Sequence, residues 1–470
     1  MYQISRMNHY RLFGLVYLFA IYALGIFSYG IWSDDFPTVI DPHSHAIHAI
    51  RDGRPIYGWL LELLYNLFGT IDSLKFVRLF GFLGLALLND LVLKKLLDKD
   101  ESLPVLVATL VAFSVPSFQF SSHWGVAFGI SWSAYLGVLG LSIFMKSGMF
   151  FKSLGLTSVT ISLLIYPLMT YFMISFAFAK WLLESRELSK LYSHLFKCIK
   201  LLVGGTLISF TVAKFVLVIY GLDFNPRVEL VSFSGIVDKV VWFTSRPFVL
   251  SYRPFFIDSP DVSRLIVQVA PVVVIILVLY HFKFRKPSSV FFQLVAFNLS
   301  LVLSLTPLIV TSQNQIDLRF LSSSSWLVVF VFLYLLLSRI KNGDKKSRKL
   351  WFLGLIYCVL GLGALSVNSI YSNYISKIEH STREFLTSEI RKCDKTLASQ
   401  KISIVPRTKV WESKPLLGIY SQATDLASEW VPIPAVTLFA HEVYVSPDFD
   451  PIVEWGFAKS SGCLIYLDNF

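Results

Sequence analysis

The chain opens on LFGLVYLFAIYALGIFSYGIW (residues 12–32), and SDDFPTVIDPHSHAIHAIRDGRPIY (residues 33–57) follows without a break. The first stretch is apolar and long enough to cross the hydrocarbon of a bilayer. It is too long for the core of a signal peptide and no small-residue cleavage site follows it, so it reads as a retained span. Arg6 and Arg11 precede it; positive flanks stay in the cytoplasm, so the polar stretch emerges on the far side. That stretch gathers Asp34, Asp35 and Asp41, then His43, His45 and His48, then Arg51, Asp52 and Arg54. The surrounding chain is 54% hydrophobic and 16% charged, against about 25% charged for a soluble domain. A dense polar patch in such a chain reads either as a solvated loop or as a site at the membrane surface.

The rest of the 470 residues repeats the alternation of apolar run and charge cluster. A run over 56–68 is too short to span comfortably and carries Glu62, which predicts a helix lying in the interface or bracing the bundle. Spans are expected at about 74–93, 103–120 and 126–145, then two shorter ones meeting at Tyr166-Pro167 and ending near Leu183. Further spans follow at about 201–220, 264–280, 290–310, 320–337 and 350–370. Lysines and arginines crowd every second loop, from Lys94 and Lys95 to the run RIKNGDKKSRK. Eleven spans satisfy every cluster. The net charge of +11 therefore reports topology and anionic headgroups rather than nucleic acid.

The expected fold is mainly α: a polytopic transmembrane helix bundle over 1–370, with a first outer loop at 33–73, and a small extracytoplasmic α+β domain over 371–470. In that tail Ile375, Ile378, Phe385, Ile390 and Leu397 recur at near-helical spacing, and β-like runs such as KISIVP and GCLIYL follow. Cys198 and Cys358 fall in or beside spans, whereas Cys393 and Cys463 both fall in the outer tail, where an oxidising compartment permits a bridge. A disulfide closing so long a loop would stabilise the tail by about 4–5 kcal/mol in the chain-entropy model. It should appear as a mobility shift on reduction that is lost in Cys463→Ser; an unchanged mobility would mean two free thiols.

An eleven-span chain whose first outer loop begins Asp-Asp resembles the GT-C superfamily of membrane glycosyltransferases. SDDFPTVI followed by GRPIYGWLLELLYNLFG is similar to the opening of the bacterial and phage-encoded O-antigen glucosyltransferases, in which a paired aspartate follows the first span and a Gly-Arg leads into a short apolar helix. IYPLMTYF also resembles the family, where a glutamine commonly follows the tyrosine; Pro167 stands there in this chain.

The resemblance implies an inverting enzyme of the bacterial inner (plasma) membrane. It would take a hexose, glucose in the family, from a polyprenyl-phosphate carrier and pass it to a lipid-linked polysaccharide such as O-antigen. Such a step needs a carboxylate to take the acceptor hydroxyl proton and cations where the phosphate charge develops. Asp34 or Asp35, just past a span end, is the expected catalytic base, with Asp35 preferred, facing a cavity at the outer membrane boundary. Arg51, Arg54 and Arg319, at the same boundary, are the expected phosphate ligands. Each has a plainer role: a helix end facing water for the aspartates, a turn brace for Arg54, an arginine reaching the interface for Arg319. Arg246 and Arg253 share a loop with aromatics and read as structural.

His43, His45 and His48 are expected to touch sugar hydroxyls. By residue type they and the aspartates could ligate a divalent ion, but H-x-H-x-x-H, read as steps of two and five, pairs no side chains on a helix. No cofactor is called for. Two rivals remain open. An O-antigen polymerase or ligase would depend on arginines of a large later outer loop, and a non-enzymatic lipid-linked glycan transporter would show paired repeats and mid-membrane ionisable residues.

Overall fold

The computed structural model describes residues 2–27, 35–97, 102–184, 188–252, 287–312, 318–341, 346–370, 377–391, 401–405, 452–455 and 463–466. These form long helices with few strands. Among the described residues, five helical stretches are long and apolar enough to cross a membrane: Asn8–Phe27, Leu74–Leu96, Gly125–Phe144, Ser189–Tyr220 and Arg319–Lys341. Four shorter apolar helices join them, Ser102–Phe113, Met149–Ile165, Phe291–Ser304 and Phe352–Val367. The span expected at 264–280 lies outside the described residues.

The first helices run α1 (Tyr2–Phe27), α2 (Asp35–Ile40), α3 (Pro42–Arg51), α4 (Pro55–Phe68) and α5 (Leu74–Leu96). Asp41 starts α3 by accepting from the Ser44 N–H at 2.9 Å, and Pro42 occupies the first turn, where its missing N–H costs nothing. Pro55 opens α4 in the same way. This helix buries Tyr57, Leu61 and Tyr65 and exposes Trp59, Leu63 and Leu67 four residues apart. One face therefore packs on the bundle while the other is apolar and open, as an interfacial helix requires. At the other end of the bundle Arg11 of α1 and Asp90 of α5 form a two-pronged ion pair, both contacts 2.6 Å. That pair fixes the two helices as antiparallel neighbours.

The run read as one span over 103–120 is broken. Helix α6 (Ser102–Phe113) ends before Pro116 and α7 (Pro116–His123) restarts after it, because proline removes a helical donor and restrains the residue before it. Pro307 likewise separates Pro287–Ser304 from Thr306–Val310. The two short runs about Tyr166 are α9 (Met149–Ile165), the turn α10 (Pro167–Thr170) and α11 (Phe172–Glu184), preceded by α8 (Gly129–Phe144). Helix α12 (Leu188–Tyr220) is longer than expected and takes in Lys190, Lys197 and Lys200.

Helices α5, α6, α8, α9 and α11 and the helix Ser322–Lys341 bury a continuous apolar core containing Phe113, Phe172, Trp326 and Phe330. Small polar side chains knit it. Ser162 of α9 donates to the Ser133 carbonyl of α8 at 2.7 Å, and its hydroxyl pairs with Thr170 at 2.7 Å. Such bonds hold helices together where lipid supplies no hydrophobic drive between them.

In the tail, three short strands form a parallel sheet in the order Ile452–Trp455, Lys401–Val405, Cys463–Tyr466. A helix, Lys377–Arg391, precedes them. Most of the expected α+β domain, Cys393 included, lies outside the described residues.

Candidate functional site

Asp35 is the first residue of α2 and is fully buried. Its carboxylate accepts from the Tyr65 hydroxyl of α4, from the Val126 N–H at 3.0 Å and from the Gly125 N–H at 3.3 Å. Val126 is held from its other side too, because its carbonyl accepts from the Tyr57 hydroxyl. A turn of the loop HWGVAF (123–128) is thus gripped by the first outer loop and α4. Only glycine fits at 125: a Cβ there would stand 2.5 Å from the Tyr65 hydroxyl and 2.8 Å from Asp35 Oδ1.

Burial pushes the Asp35 carboxyl above its ordinary range; the Arg78 charge, the Tyr65 hydroxyl and the two backbone N–H groups pull it back. Burial, then the neighbouring carboxylate, pushes the Tyr65 phenol well up. Arg78, from the start of α5, is itself buried. It also lies near His123, which burial and that positive charge push down to about 3. The imidazole is therefore neutral at physiological pH. Its ring packs 5.6 Å from that of Tyr22.

The phosphate candidates fall into place separately. Arg54, the residue before α4, pairs with the Asp52 carboxylate and lies over Tyr57 and Tyr166, 5.2 Å and 5.7 Å from the ring centroids. Arg319 lies over Trp124, 4.5 Å from the ring centroid. Arg51 reaches away from both and donates to the Asp223 carbonyl at 3.3 Å. Arg246 ends α13 (Ile236–Ser245) and is exposed. The first loop, the 123–128 loop, the Tyr166 turn and the Arg319 turn therefore meet at one end of the bundle, opposite Arg11 and Asp90. All four are loops that charge alternation assigns to the outer side.

His43 contacts Glu62 at 2.9 Å on the exposed side of α3. His45 and His48 are three residues apart on this helix and so share a face, a pairing that steps of two and five overlook. Among the described residues no three potential ligands gather into a metal site. Asp34 and Arg253 lie outside the described residues.

Tyr65, Arg78, His123 and the 123–128 turn were not picked out by sequence. Arg78 carried a usable signal, since it is the one charge in FVRLFGFLGLALLN (76–89), and an ionisable residue in a span is a functional candidate by default. The arrangement offers a buried carboxylate that fixes a loop, with the Arg78 charge near it and Arg54 and Arg319 lying over aromatic rings of the adjoining turns. No family model matches the chain, and no curated protein matches it.

Proposed function

We propose that this chain is an inverting glycosyltransferase of the bacterial inner membrane that moves a hexose from a polyprenyl-phosphate carrier to a cell-surface glycan such as O-antigen. What supports the reading most is the convergence of four separate outer loops around Asp35, bringing Arg54, Arg78 and Arg319 to one end of an apolar bundle. A carrier phosphate is confined to headgroup depth, and this end of the bundle is where charge alternation puts that plane.

The chemistry divides the aspartate pair. A general base must reach the proton it takes, and Asp35 is closed off with both oxygens engaged by donors. Asp35 is therefore the positioning residue, holding the 123–128 turn, and Asp34 is the base. As Asp34 takes the acceptor hydroxyl proton, the acceptor oxygen attacks the anomeric carbon from the face opposite the phosphate. The carbon–oxygen bond to phosphate breaks, and the arginines neutralise the leaving anion. Inversion follows from this in-line geometry.

Comparing surface glycan composition with and without the protein tests the reading. Loss of one side-branch sugar supports transfer; loss of chain length points to a polymerase, and no change in glycan overturns it. The topology is testable alone. A reporter fused after Phe470 should be active only on the outer side, because an odd number of spans follows a cytoplasmic N-terminus. A cytoplasmic reporter would require the outer loops to be reassigned.

A further inference from the structure

Helix α12 exposes Val203, Leu207, Phe210, Phe215 and Val218 along its outer length. In a membrane span such a face is covered by acyl chains. Gly221 then turns the chain in the left-handed region (φ +64°), and Phe224 stacks flat on Phe210, 5.5 Å between centroids and 8° between planes. The Phe224 ring thus reaches back to that of a residue ten positions before the helix tip. The loop folds back alongside the helix, and the Asn225 N–H donates to the Arg51 carbonyl at 2.9 Å.

The segment after this fold-back is amphipathic in the wrong sense for water. Ser232 caps the turn Phe233–Gly235, which runs into α13. One side of α13 carries Lys239 and Phe243, both buried. It packs toward α14 (Pro247–Ser251) and the helix Thr306–Val310. The other side carries Val237 and Val241, 71% and 60% exposed, with Val240 beside them, and Phe233, 92% exposed, and Leu230 lie just before the helix. The spacing of four puts Val237 and Val241 on one face. A contiguous exposed stripe of large apolar side chains marks an interaction surface.

We propose that this face of α13 is seated in the outer leaflet, its valines and Phe233 among the upper acyl chains, so that the 221–252 loop is pinned to the membrane. The pairing of Leu230 with Thr311 and the packing of α13 on Thr306–Val310 supply the depth, because that helix lies at the outer end of the stretch expected to span at about 290–310. Through α14 the helix is one packing step from the Arg319 turn: the Ser251 hydroxyl donates to Ser324 at 2.7 Å, in the helix that comes after Arg319. The inference rests on the membrane setting of the chain and not on the proposed transfer reaction.

The test uses the full-length protein in liposomes with an environment-sensitive nitrobenzoxadiazole dye on Val237→Cys, and separately on Val241→Cys. Wild-type protein labelled in parallel gives the contribution of the native thiols. Lipids carrying a nitroxide high on the acyl chain should quench the dye, and lipids carrying it near the chain end should quench less. Aqueous iodide should quench weakly. Two results overturn the proposal. Quenching by iodide but not by lipid nitroxide means that the face stands in water. Quenching by neither means that a second copy, or another part of this chain, covers it. Because the readout is positional, an inactive but folded protein answers it equally well.

Discussion

Replacing Asp34 by asparagine is expected to lower hexose transfer by about 10²–10⁴-fold, the usual contribution of a positioned general base. The substitution keeps the shape of the side chain and removes its capacity to take a proton. In the proposed mechanism the arginines, not Asp34, hold the carrier phosphate, so donor binding should persist. The pH profile separates base from positioning residue. In active protein the rate should fall on the acid side as the base is protonated. That limb should persist in Asp35→Asn and vanish from the residual activity of Asp34→Asn. If both asparagine variants transfer at the wild-type rate, neither aspartate is the base.

The second large effect is on stability. Asp35→Ala removes the acceptor of three buried donors at once: the Tyr65 hydroxyl and the Gly125 and Val126 N–H groups. Each buried donor left without a partner costs about 1–3 kcal/mol, and Arg78 loses a nearby opposite charge. The variant should melt well below wild type in detergent. Tyr65→Phe, which leaves the carboxylate its two backbone donors, should lose much less. Gly125→Ala should resemble Asp35→Ala, because its methyl group would occupy the space between Tyr65 and Asp35. An Asp35→Ala protein with wild-type melting would show that the 123–128 turn holds itself.

How much could be read from the chain depends on the range of the interactions concerned. Spans such as 74–93 were legible because a bilayer imposes one length and one composition, and because Lys94 and Lys95 mark the end. The helix over 56–68 was legible from its apolar run, and α4 (Pro55–Phe68) covers it. The break at Pro116 carried a local signal that the apolar run on either side obscured. The clamp on Asp35 was not legible: Tyr65 and Val126 are 30 and 91 residues away in sequence, and no local pattern encodes which hydroxyl will meet which carboxylate. For the same reason Arg51 and Arg54, close in the chain and alike in type, diverge in the fold. One turns to the Asp223 carbonyl and the other to Asp52 and the Tyr166 turn. The expectation that Asp35 faces an open cavity fails because its carboxylate is fully buried among three donors, and the pairing of adjacent acids says nothing about which is buried.

The most direct measurement of the central claim is transfer by the purified protein in liposomes. Polyprenyl-phosphate-linked radiolabelled glucose is supplied as donor and lipid-linked O-antigen as acceptor, with wild type and Asp34→Asn compared. The account predicts that wild type moves label onto the glycan with the anomeric configuration inverted and without lengthening the chain, and that Asp34→Asn does so at least about 10²-fold more slowly. Label that stays on the carrier with folded wild-type protein and the acceptor of its own cell, or equal rates for the two proteins, would contradict it.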